Sequence, residues 1–556
     1  MEEEGKIITV EEVLIQETAS LIEERVDSTK RKGKISTVEG VLDQIQSQSP
    51  WRGLVVLIML MATHLSTAYA ISFPNFGGHI PYRRWECIGT STLCTDRLSV
   101  YNFTNPDESP YNSDVLCGKF EESQSLEVGI DFNWDMSDGR STYAVDWNIY
   151  CGTEYKGTLL SSLFFVGGFI GLLVGSFTFD TFGRRTTVIA GYFIVSLCMM
   201  ISAAAPNTGT LMAIRVIMGI GSFMGLSGLY VYILENVSSK WRGLVSSIVA
   251  ICYNLGWTAV LPAFGYLIKG WKWLSVAGGI LMLASVIAWF FVPDSPRHLM
   301  ENKDDKVAAM NSLKRIATLF GRKLDLDEIE LESSKKDTAA PSSYLETLKD
   351  FIHFPELRIQ LLIQMFQWII LAFLYYGFNF SWGKLGKNIY WSYAFSGISE
   401  VSAALICWFG QDVFGRRMTM LSFNIIGGAS FLLALIPLSF GSQNVLTMQQ
   451  LMCLIGSMFV SGAWGTSYLY VAEQSPTNHR GKMSAVCSIS ARLGSFAGPQ
   501  ASLLFTWNKS ATLVFFGILS ISAGMVSLRL PETKGKKSPN SAQEVEDRRK
   551  AFLSKT

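Results

Sequence analysis

Charge is scarce in this chain, since only 17% of its 556 residues are Asp, Glu, Lys or Arg. Soluble domains carry about 25% charged residues, so this composition excludes an ordinary soluble protein and indicates a membrane protein. The formal net charge of +1 at pH 7 provides no overall field that would attract a polyanion. We therefore expect no nucleic-acid partner.

The residue sets that catalysis requires are also missing from the sequence. It shows no nucleophile–base combination, no cluster of metal-ligating residues and no phosphate-binding loop, so neither an enzyme nor a metal or cofactor is expected. Residues 1–50 mix both signs of charge and contain no apolar core segment. They do not read as a cleaved signal peptide, and we expect them to form a cytosolic N-terminal segment.

Apolar runs, in contrast, are abundant. About 20 apolar residues are needed to cross a bilayer, and twelve segments meet this requirement. They lie at 52–73, 156–178, 187–205, 210–234, 244–268, 272–292, 358–381, 389–409, 418–440, 447–472, 484–506 and 510–530. The sequence thus predicts twelve transmembrane helices with the lipid bilayer as their surroundings.

Basic residues in the short loops orient these spans. Arg184 and Arg185 follow the second span and Arg416 and Arg417 follow the eighth, whereas alternate loops such as 205–209 carry no charge. Because cytosolic loops carry the excess of Lys and Arg, both termini are predicted to be cytosolic. A charged cytosolic loop at 293–357 separates two six-span bundles, 51–292 and 358–531, and a cytosolic tail follows at 532–556.

The long segment at about 74–155 is predicted to lie outside the cell. It contains four of the nine cysteines, namely Cys87, Cys94, Cys117 and Cys151. Four extracellular cysteines predict two disulfides, with three connectivities open. Asn102 begins the triplet Asn-Phe-Thr, which is a glycosylation acceptor on the same side.

The two halves repeat one pattern. The string DTFGRR at 180–185 recurs as DVFGRR at 412–417, and YVYILENVSSKWRG at 230–243 recurs as YLYVAEQSPTNHRG at 468–481. VPD at 292–294 likewise returns as LPE at 530–532. Parallel repeats of this kind form transporters in which the substrate site lies near the midplane between the halves.

The repeated motifs predict a charge network at the cytosolic ends of the spans. The glycines permit tight turns, the aspartates lie near helix N-termini where a carboxylate is favoured, and the arginines can pair with the glutamates. We expect this network to hold one conformation and to break in the other, although the motifs could also serve only to set orientation. The candidate gating residues are Asp180, Gly183, Arg184, Arg185, Glu235 and Arg242, and Asp412, Gly415, Arg416, Arg417, Glu473 and Arg480.

These motifs also carry a family resemblance. GSFTFDTFGRR (175–185), PDSPRHL (293–299) and YVAEQSPTNHRG (470–481) resemble the major facilitator superfamily. VDWNIYCGTEYKGTLLSSLFFVGG (145–168) and the long first external loop are similar to its organic cation, organic anion and carnitine transporters. The resemblance covers about residues 36–535.

The resemblance implies an all-α membrane protein with the major facilitator fold, built from twelve transmembrane helices in two pseudo-symmetric six-helix halves. It implies a plasma-membrane transporter of small organic ions that works as a monomer, and it leaves the coupling ion, sodium or proton, open. Arg215 in the fourth span resembles a structural residue of the superfamily and is also kept as a gating candidate.

Two charges lie in the middle of predicted spans, Glu400 in the eighth and Arg492 in the eleventh. A charge at a helix centre costs about 2.5–3.5 kcal/mol on insertion, so such residues face a partner or a cavity. They could form a buried pair without a substrate role, or they could present opposite charges to a substrate. The two interpretations can coexist if a substrate competes for the pair.

The family resemblance narrows the expected substrate. Cation carriers resemble this chain at Glu400 but tend to have an aspartate at the position of Arg492. Anion carriers have an arginine there and often a lysine at the position of Ala404. The combination in this chain resembles the carnitine branch, so the hypothesis is a zwitterionic or carboxylate-bearing substrate with its carboxylate near Arg492 and its ammonium near Glu400 and aromatic rings.

Aromatic residues complete the candidate binding set. Trp368, Tyr375, Tyr376, Trp464 and Tyr468 resemble pocket positions of the family, and ring faces attract ammonium groups. Membrane packing is the alternative role. The set also includes Tyr253 and His64, although a lone histidine in a span more often only bonds to a neighbouring helix.

Other functions remain open on the same architecture. An organic cation or organic anion uniporter or exchanger is one alternative. A sugar transporter is another, but those carriers usually show adjacent glutamines in the seventh span, whereas Gln364 and Gln367 are separated here. A non-transporting membrane receptor on the same fold is the third.

Overall fold

The computed structural model describes residues 35–36, 38–47, 65–78, 83–87, 130–134, 141–149, 153–237, 249, 251–303, 305–319, 330–331, 350–385, 389–436, 445–476, 479–536, 539 and 541–553. Within these ranges the protein is nearly all helical. Two short sheets are the exception: β1 (Ile35–Ser36) pairs in parallel with β4 (Glu330–Leu331), and β2 (Arg83–Cys87) pairs antiparallel with β3 (Ile130–Trp134).

The first half of the chain contains ten helices in its described part. They are α1 (Val38–Ser47), α2 (65–77), α3 (Tyr143–Asp146), α4 (Tyr155–Phe182), α5 (Arg184–Ser202), α6 (Thr208–Glu235), α7 (251–267), α8 (Trp271–Trp289), α9 (Pro296–Lys303) and α10 (Lys306–Leu319). α7 contains a π-helical stretch at Gly256–Val260 just before Pro262. Proline has no N–H to donate, which explains the local change of helix geometry.

The second half begins with a helical turn at residues 350–353 and contains eight named helices in its described part. They are α11 (Pro355–Leu385), α12 (Ile389–Phe414), α13 (Arg416–Leu433), α14 (Val445–Gln474), α15 (Arg480–Ala497), α16 (Ala501–Trp507), α17 (Lys509–Ser527) and α18 (Ala542–Leu553). A 3₁₀ turn at Gly498–Gln500 joins α15 to α16. Pro499 lies in this turn, and its missing N–H explains the local change of helix geometry, as that of Pro262 does in α7.

Seven of these helices are long and apolar enough to cross a membrane, namely α4, α5, α6, α8, α11, α12 and α17. Consecutive long helices alternate in direction, so the bundle has two ends. We call the end at which α4, α6, α8 and α12 begin the loop end, and the opposite end, at which α5, α11, α13 and α15 begin, the termini end.

Residues that repeat in the sequence of the two halves make equivalent contacts in the structure. The Tyr232 hydroxyl donates to the Pro293 carbonyl oxygen at 2.6 Å, and the Tyr470 hydroxyl donates to the Pro531 carbonyl oxygen at 2.7 Å. Each bond ties the end of one long helix to the chain that leaves the last helix of its half. The repeat seen in the sequence is therefore a repeat of packing at the termini end.

The two halves pack against each other at the loop end. The Thr158 hydroxyl of α4 donates to Gln500 Oε1 at 2.9 Å, and Gln500 Nε2 donates to the Ser162 hydroxyl at 3.0 Å. The Ser162 hydroxyl in turn donates to the Phe496 carbonyl oxygen at 2.7 Å. These contacts close α4 onto the end of α15.

Three further helix pairs close the same end. The Tyr390 hydroxyl of α12 donates to the Gly265 carbonyl oxygen of α7 at 3.1 Å. The rings of Phe76 in α2 and Tyr393 in α12 lie 5.1 Å apart, and Asn75 donates to the Asn379 carbonyl oxygen of α11 at 3.4 Å. In the described part of the chain, the contacts between halves thus concentrate at the loop end.

A small cluster separate from the long helices lies at the termini end. Val41, Leu42 and Ile45 of α1 are fully buried against apolar side chains of α9 and α10. Glu39 of the same helix lies 3.6 Å from Arg297, which is a second link to α9. The segment that precedes the first span is therefore docked on the loop between the halves, a contact that was not predicted from the sequence.

Candidate functional site

The repeated charge motif forms an ion pair in each half. Arg184 Nε lies 3.2 Å from Glu235 Oε1 in the first half, and Arg416 Nη2 lies 2.8 Å from Glu473 Oε1 in the second. Both arginines also donate to a carbonyl oxygen near the end of the preceding helix, those of Phe179 and Gln411 respectively. The pairs join neighbouring helices within one half and do not bridge the two halves.

Each half adds its own partner to this pair. In the first half, His298 of α9 makes a close contact with the Arg184 guanidinium. In the second half, the Thr533 hydroxyl donates to Glu473 Oε2 at 2.7 Å. Arg185, the second arginine of the first-half motif, makes a different contact: it donates to the carbonyl oxygens of Trp289 and Phe290 at the end of α8.

Glu532 caps the start of α13 from the end of the last long helix. Its carboxylate accepts from the backbone N–H groups of Arg416 and Arg417 at 2.9 and 3.1 Å, and from those of Thr533 and Lys534 at 2.9 and 3.0 Å. Burial alone would raise the pKa of this carboxyl, but the four backbone donors outweigh burial and lower the pKa below its ordinary value. In the sequence, LPE is visible only as a repeat of VPD, and this role of Glu532 was not predicted.

Replacing Glu532 with glutamine tests this cap. The folded-state pKa of Glu532 is lowered, so its contribution is present above the unfolded pKa and is lost as pH falls through the folded pKa. Glu532→Gln is expected to lower the free energy of unfolding at pH 7 by about 0.5–2 kcal/mol, as removal of a helix cap does. Thermal unfolding of purified protein measures this. Glu544→Gln, in an exposed pair with Arg548, is the control, and equal stability of both variants at pH 7 would contradict the cap.

Gly415 is required at the turn before α13 for two reasons. Its φ of 84° and ψ of 172° fall in a region that is open essentially to glycine alone. A Cβ at this position would also lie 2.8 Å from the Glu532 carboxylate. Gly183 has the equivalent conformation with φ of 94°, and its nearest side chain is His298.

Gly415→Ala is therefore expected to destabilise the protein by about 1–3 kcal/mol, the usual cost of such backbone strain. Gly481→Ala is the matched control, because a Cβ at Gly481 would meet nothing within 4 Å. Unfolding midpoints of the two variants, measured side by side in detergent, provide the comparison. A Gly415→Ala midpoint as high as that of Gly481→Ala would contradict the strain argument.

Arg215 is buried where three helices of the first half meet. Its guanidinium donates to the carbonyl oxygens of Ala70 and Ile71 in α2 and of Leu160 in α4, at 2.7, 3.3 and 3.3 Å. It also lies over the ring of Phe164 at 4.7 Å. These contacts use the charge for helix packing within the first half.

Arg492 lies in the middle of α15 and is only 7% exposed. Its guanidinium carbon lies 4.5 Å from the ring centroid of Phe223 in α6, so a side chain of the second half stacks on a ring of the first half. Nε donates to the Ser488 carbonyl oxygen at 3.2 Å. Nη1 is buried and has no hydrogen-bond partner among the described residues, which leaves a charged donor for a ligand.

Glu400 lies in α12, also 7% exposed, and faces α14. Its Oε2 accepts from the Ser461 hydroxyl at 2.6 Å. The ion pairs of the described residues do not include one between Glu400 and Arg492. In this conformation the buried-pair interpretation is thus not realised, and the two charges are held separately.

A connected group of aromatic rings, which we call the aromatic cluster, lies in the same half as these charges. It consists of Trp368, Tyr375, Tyr376, Trp464 and Tyr468. Trp368 lies 4.5 Å from Tyr468 and 5.5 Å from Trp464, and Tyr375 stacks on Trp464 at 6.2 Å with an interplanar angle of 13°. These are distances at which ring pairs attract each other, so the cluster is a preformed surface.

The first half completes the aromatic cluster. Tyr253 of α7 lies within hydrogen-bonding reach of the Tyr376 hydroxyl and close to Arg492 and Tyr468. Phe165 of α4 packs on the Tyr376 ring at 4.5 Å. Tyr468, on the termini side of Trp464, is 48% exposed. The exposed ring of the cluster thus lies on the side away from the contacts that close the loop end.

Several candidate residues lie outside the described part of the chain or away from this site. His64, Arg242, Cys94, Asn102, Cys117 and Cys151 lie outside the described residues, and nothing is described of the side chains of Asp180 and Cys87. Asp412 is exposed, Arg417 donates its backbone N–H to Glu532, and Arg480 begins α15. Phe223, Phe165 and Ser461 were not predicted, since they are ordinary residues of apolar spans and only helix packing reveals which of them face Arg492 and Glu400.

Comparison with known proteins agrees with this architecture. A family profile described as "Sugar (and other) transporter" matches residues 99–541. The organic cation transporter protein of Drosophila melanogaster is 25% identical over 498 residues, which cover 87% of this chain and 88% of the relative. Solute carrier family 22 member 1 of Bos taurus is 28% identical over 539 residues, with 92% and 93% covered. Organic anion transporter 3 of Oryctolagus cuniculus is 26% identical over 529 residues, with 92% and 94% covered.

Solved structures show the same arrangement of helices. The inward-open conformation of the xylose transporter XylE from E. coli aligns with a TM-score of 0.55 at 15% identity, covering 88% of this chain and 98% of that one. A crystal structure of a D-xylose–proton symporter aligns with a TM-score of 0.54 at 16% identity, with 87% and 99% covered. At this identity the likeness concerns the fold alone.

Proposed function

Since this chain belongs to the sugar (and other) transporter family, and is therefore a multi-pass membrane transporter with the major facilitator fold rather than an enzyme, we propose that it carries small organic ions bearing a carboxylate. The observation that carries this proposal is the buried Nη1 of Arg492, which has no partner among the described residues and lies at the junction of the two halves. A carboxylate is the group that best satisfies a desolvated guanidinium donor.

The rest of the site favours a zwitterion over a simple anion. The aromatic cluster offers ring faces to a quaternary or primary ammonium, and the carboxylate of Glu400 lies beside Tyr375. The relatives include proteins named as organic cation and as organic anion transporters. A carnitine-like solute uses both charges of the site at once, its carboxylate at Arg492 and its ammonium at the rings and Glu400.

Neutral sugars fit this site less well. Gln364 donates to Gln474 Oε1 at 3.2 Å, and Gln367 donates to the Ala523 carbonyl oxygen at 2.9 Å, both within the second half. These amide donors support helix packing and are not directed to a substrate. Two buried charges would also be costly in a site for an uncharged solute.

The transport cycle follows from the placement of the contacts. We place the termini in the cytosol and the loop end outside, at the plasma membrane, so that the contacts at the loop end close this conformation to the exterior. Movement of one half against the other would open the loop end. The residues proposed for the cytosolic gate are those of the Arg184–Glu235 and Arg416–Glu473 pairs with their turns.

Uptake into proteoliposomes tests the proposed substrate class. Three radiolabelled solutes of similar size are compared: a quaternary zwitterion, an organic anion and a quaternary cation without a carboxylate. We expect the zwitterion to be transported fastest, and we expect its uptake to be inhibited by each of the other two solutes. Transport of the carboxylate-free cation as fast as the zwitterion would contradict the role of Arg492. Specific binding without uptake of any of the three would favour a receptor on the same fold.

A further inference from the structure

The C-terminal helix α18 is docked on the start of α11, at the termini end of the second half. Ala542 and Val545 of α18 are each 5% exposed, and they lie in one apolar cluster with leucines from the first two turns of α11. Glu546 Oε2 also accepts from the backbone N–H of Glu356 at 3.1 Å. The carboxylate thus serves a donor in the first turn of α11 that α11 itself cannot satisfy.

A chain of buried hydrogen bonds starts at this contact. Glu356 Oε1 accepts from Gln360 Nε2 at 3.3 Å, one turn farther along α11. Gln360 Oε1 accepts from Gln474 Nε2 of α14 at 3.0 Å, and Gln474 Oε1 accepts from Gln364 Nε2 of α11 at 3.2 Å. All four side chains are buried, so water does not compete for these bonds. We call Glu356, Gln360, Gln364 and Gln474 the polar chain.

The polar chain reaches both functional parts of the second half. Gln474 directly follows Glu473, which forms the ion pair with Arg416. Gln364 precedes Trp368 by one helical turn on α11, and Trp368 packs on rings of α14 in the aromatic cluster. The chain therefore joins α11 to α14 on the termini side of the aromatic cluster, and it helps to set the distance between the two helices that supply the rings.

α18 carries helix-forming contacts of its own, so it can dock or detach as a unit. The Ser541 hydroxyl accepts from the Glu544 N–H at 3.3 Å and caps the first turn, and Glu544 pairs with Arg548 one turn later at 2.6 Å. The preceding sequence KKSPN at 536–540 consists of residue types that are typical of loops. Attachment of α18 to α11 is therefore a separate interaction that is not needed to form the helix.

We infer that α18 is a regulatory element which, when docked, fixes α11 against α14 through the polar chain and so keeps the aromatic cluster in its binding arrangement. Release of α18 removes the Glu546 carboxylate from the first turn of α11 and uncovers apolar side chains there, so the start of α11 moves and the polar chain loosens. The docking and its coupling to α14 do not depend on the substrate, whereas the effect on transport rests on the proposed function.

Three variants of the full-length protein test the effect on transport. Glu546→Ala removes the acceptor, Glu546→Gln keeps an acceptor oxygen, and Asp547→Ala removes an exposed carboxylate of the same helix as the matched control. For Glu546→Ala we expect the KM of the quaternary zwitterion to rise about threefold to tenfold, the factor that one lost hydrogen bond allows, at nearly constant Vmax. A folding defect alone would lower Vmax and leave the KM unchanged. The other two variants should stay near the wild-type KM, and an unchanged KM in Glu546→Ala would overturn the regulatory role.

Hydrogen exchange of the purified protein, without substrate, measures the docking and the coupling directly. Glu546→Ala should speed amide exchange at 354–361 in α11 and also at 470–476 at the end of α14, whereas Glu546→Gln should exchange like the wild type. Faster exchange in α11 without any change in α14 would overturn the coupling, and unchanged exchange in both would overturn the docking. If the wild-type protein carries no zwitterion but α14 still responds to Glu546→Ala, the proposed substrate is wrong and the inference stands.

A double variant tests whether the polar chain carries the coupling. Gln474→Leu interrupts the chain between α11 and α14, so adding Glu546→Ala in that background should speed exchange at 470–476 little further. Independent effects of the two replacements, each as large in the presence of the other as alone, would overturn the role of the polar chain.

Discussion

Replacement of Arg492 by alanine is expected to reduce uptake of a zwitterionic or anionic solute by about 30-fold or more. Removal of one member of a buried, hydrogen-bonded charge pair costs about 2–5 kcal/mol, and each 1.4 kcal/mol is a factor of ten. Arg492→Asp should abolish this uptake altogether, since it would place like charges together. The loss should be specific to solutes with a carboxylate, because the aromatic cluster that receives the ammonium is unchanged in both variants.

The control for this experiment is a charge change away from the site. Arg529 is exposed beyond the end of α17, so Arg529→Asp should leave uptake of the same solute near the wild-type rate. Surface expression and unfolding temperature of each variant separate loss of binding from loss of folding. Undiminished uptake of the carboxylate solute by Arg492→Ala would disprove the role proposed for this arginine.

Phe223 explains why this arginine tolerates its place in the membrane. A guanidinium over a ring face gains attraction that grows as water is excluded, and the flat group keeps its edge available for a second ligand. The ring belongs to α6 and the arginine to α15, so the contact also joins the two halves beside the site. A substrate carboxylate at Nη1 would thus bind a group whose surroundings depend on how the two halves are placed.

The architecture was predictable because the relevant signals are local or repeated. Apolar runs indicate membrane helices, and the recurrence of DTFGRR as DVFGRR indicates two halves without knowledge of any contact. The glycine turns followed in the same way, since Gly183 and Gly415 do adopt positive φ. Membership of the transporter family confirms the fold that these patterns predicted.

The details of the site depend on distant contacts, which the sequence does not encode locally. Glu532 looks like a charged residue in a tail, yet it caps a helix that begins more than a hundred positions earlier. Glu400 and Arg492 could be recognised as unusual charges, but whether they pair depends on helix rotation and on the conformation of the transporter. Phe223 carries no signal of its own in an apolar span, so its contact with Arg492 required the packed bundle.

The second prediction with a large expected effect concerns Gly397 and the closure of the loop end. A Cβ at this position of α12 would lie 2.6 Å from both Cβ and Oγ1 of Thr258 in α7. Contacts this short force the two helices apart, and such overpacking costs about 1–3 kcal/mol. Gly397→Ala should therefore disfavour the conformation that is closed at the loop end and slow transport by about tenfold, within the range that this energy allows.

Thr258→Gly combined with Gly397→Ala should restore transport, because it removes the atoms that the new methyl group would meet. Among the described residues, the Thr258 hydroxyl donates to the Asn254 carbonyl oxygen of its own helix, so its removal strands no donor in the other half. Gly157→Ala, also near the loop end, is the matched control, since its Cβ would meet only the Ile149 side chain at 4.0 Å. The measurement is the initial uptake rate normalised to protein at the membrane. Equal rates for Gly397→Ala and Gly157→Ala, or no recovery in the double variant, would show that closure at this crossing does not limit the transport cycle.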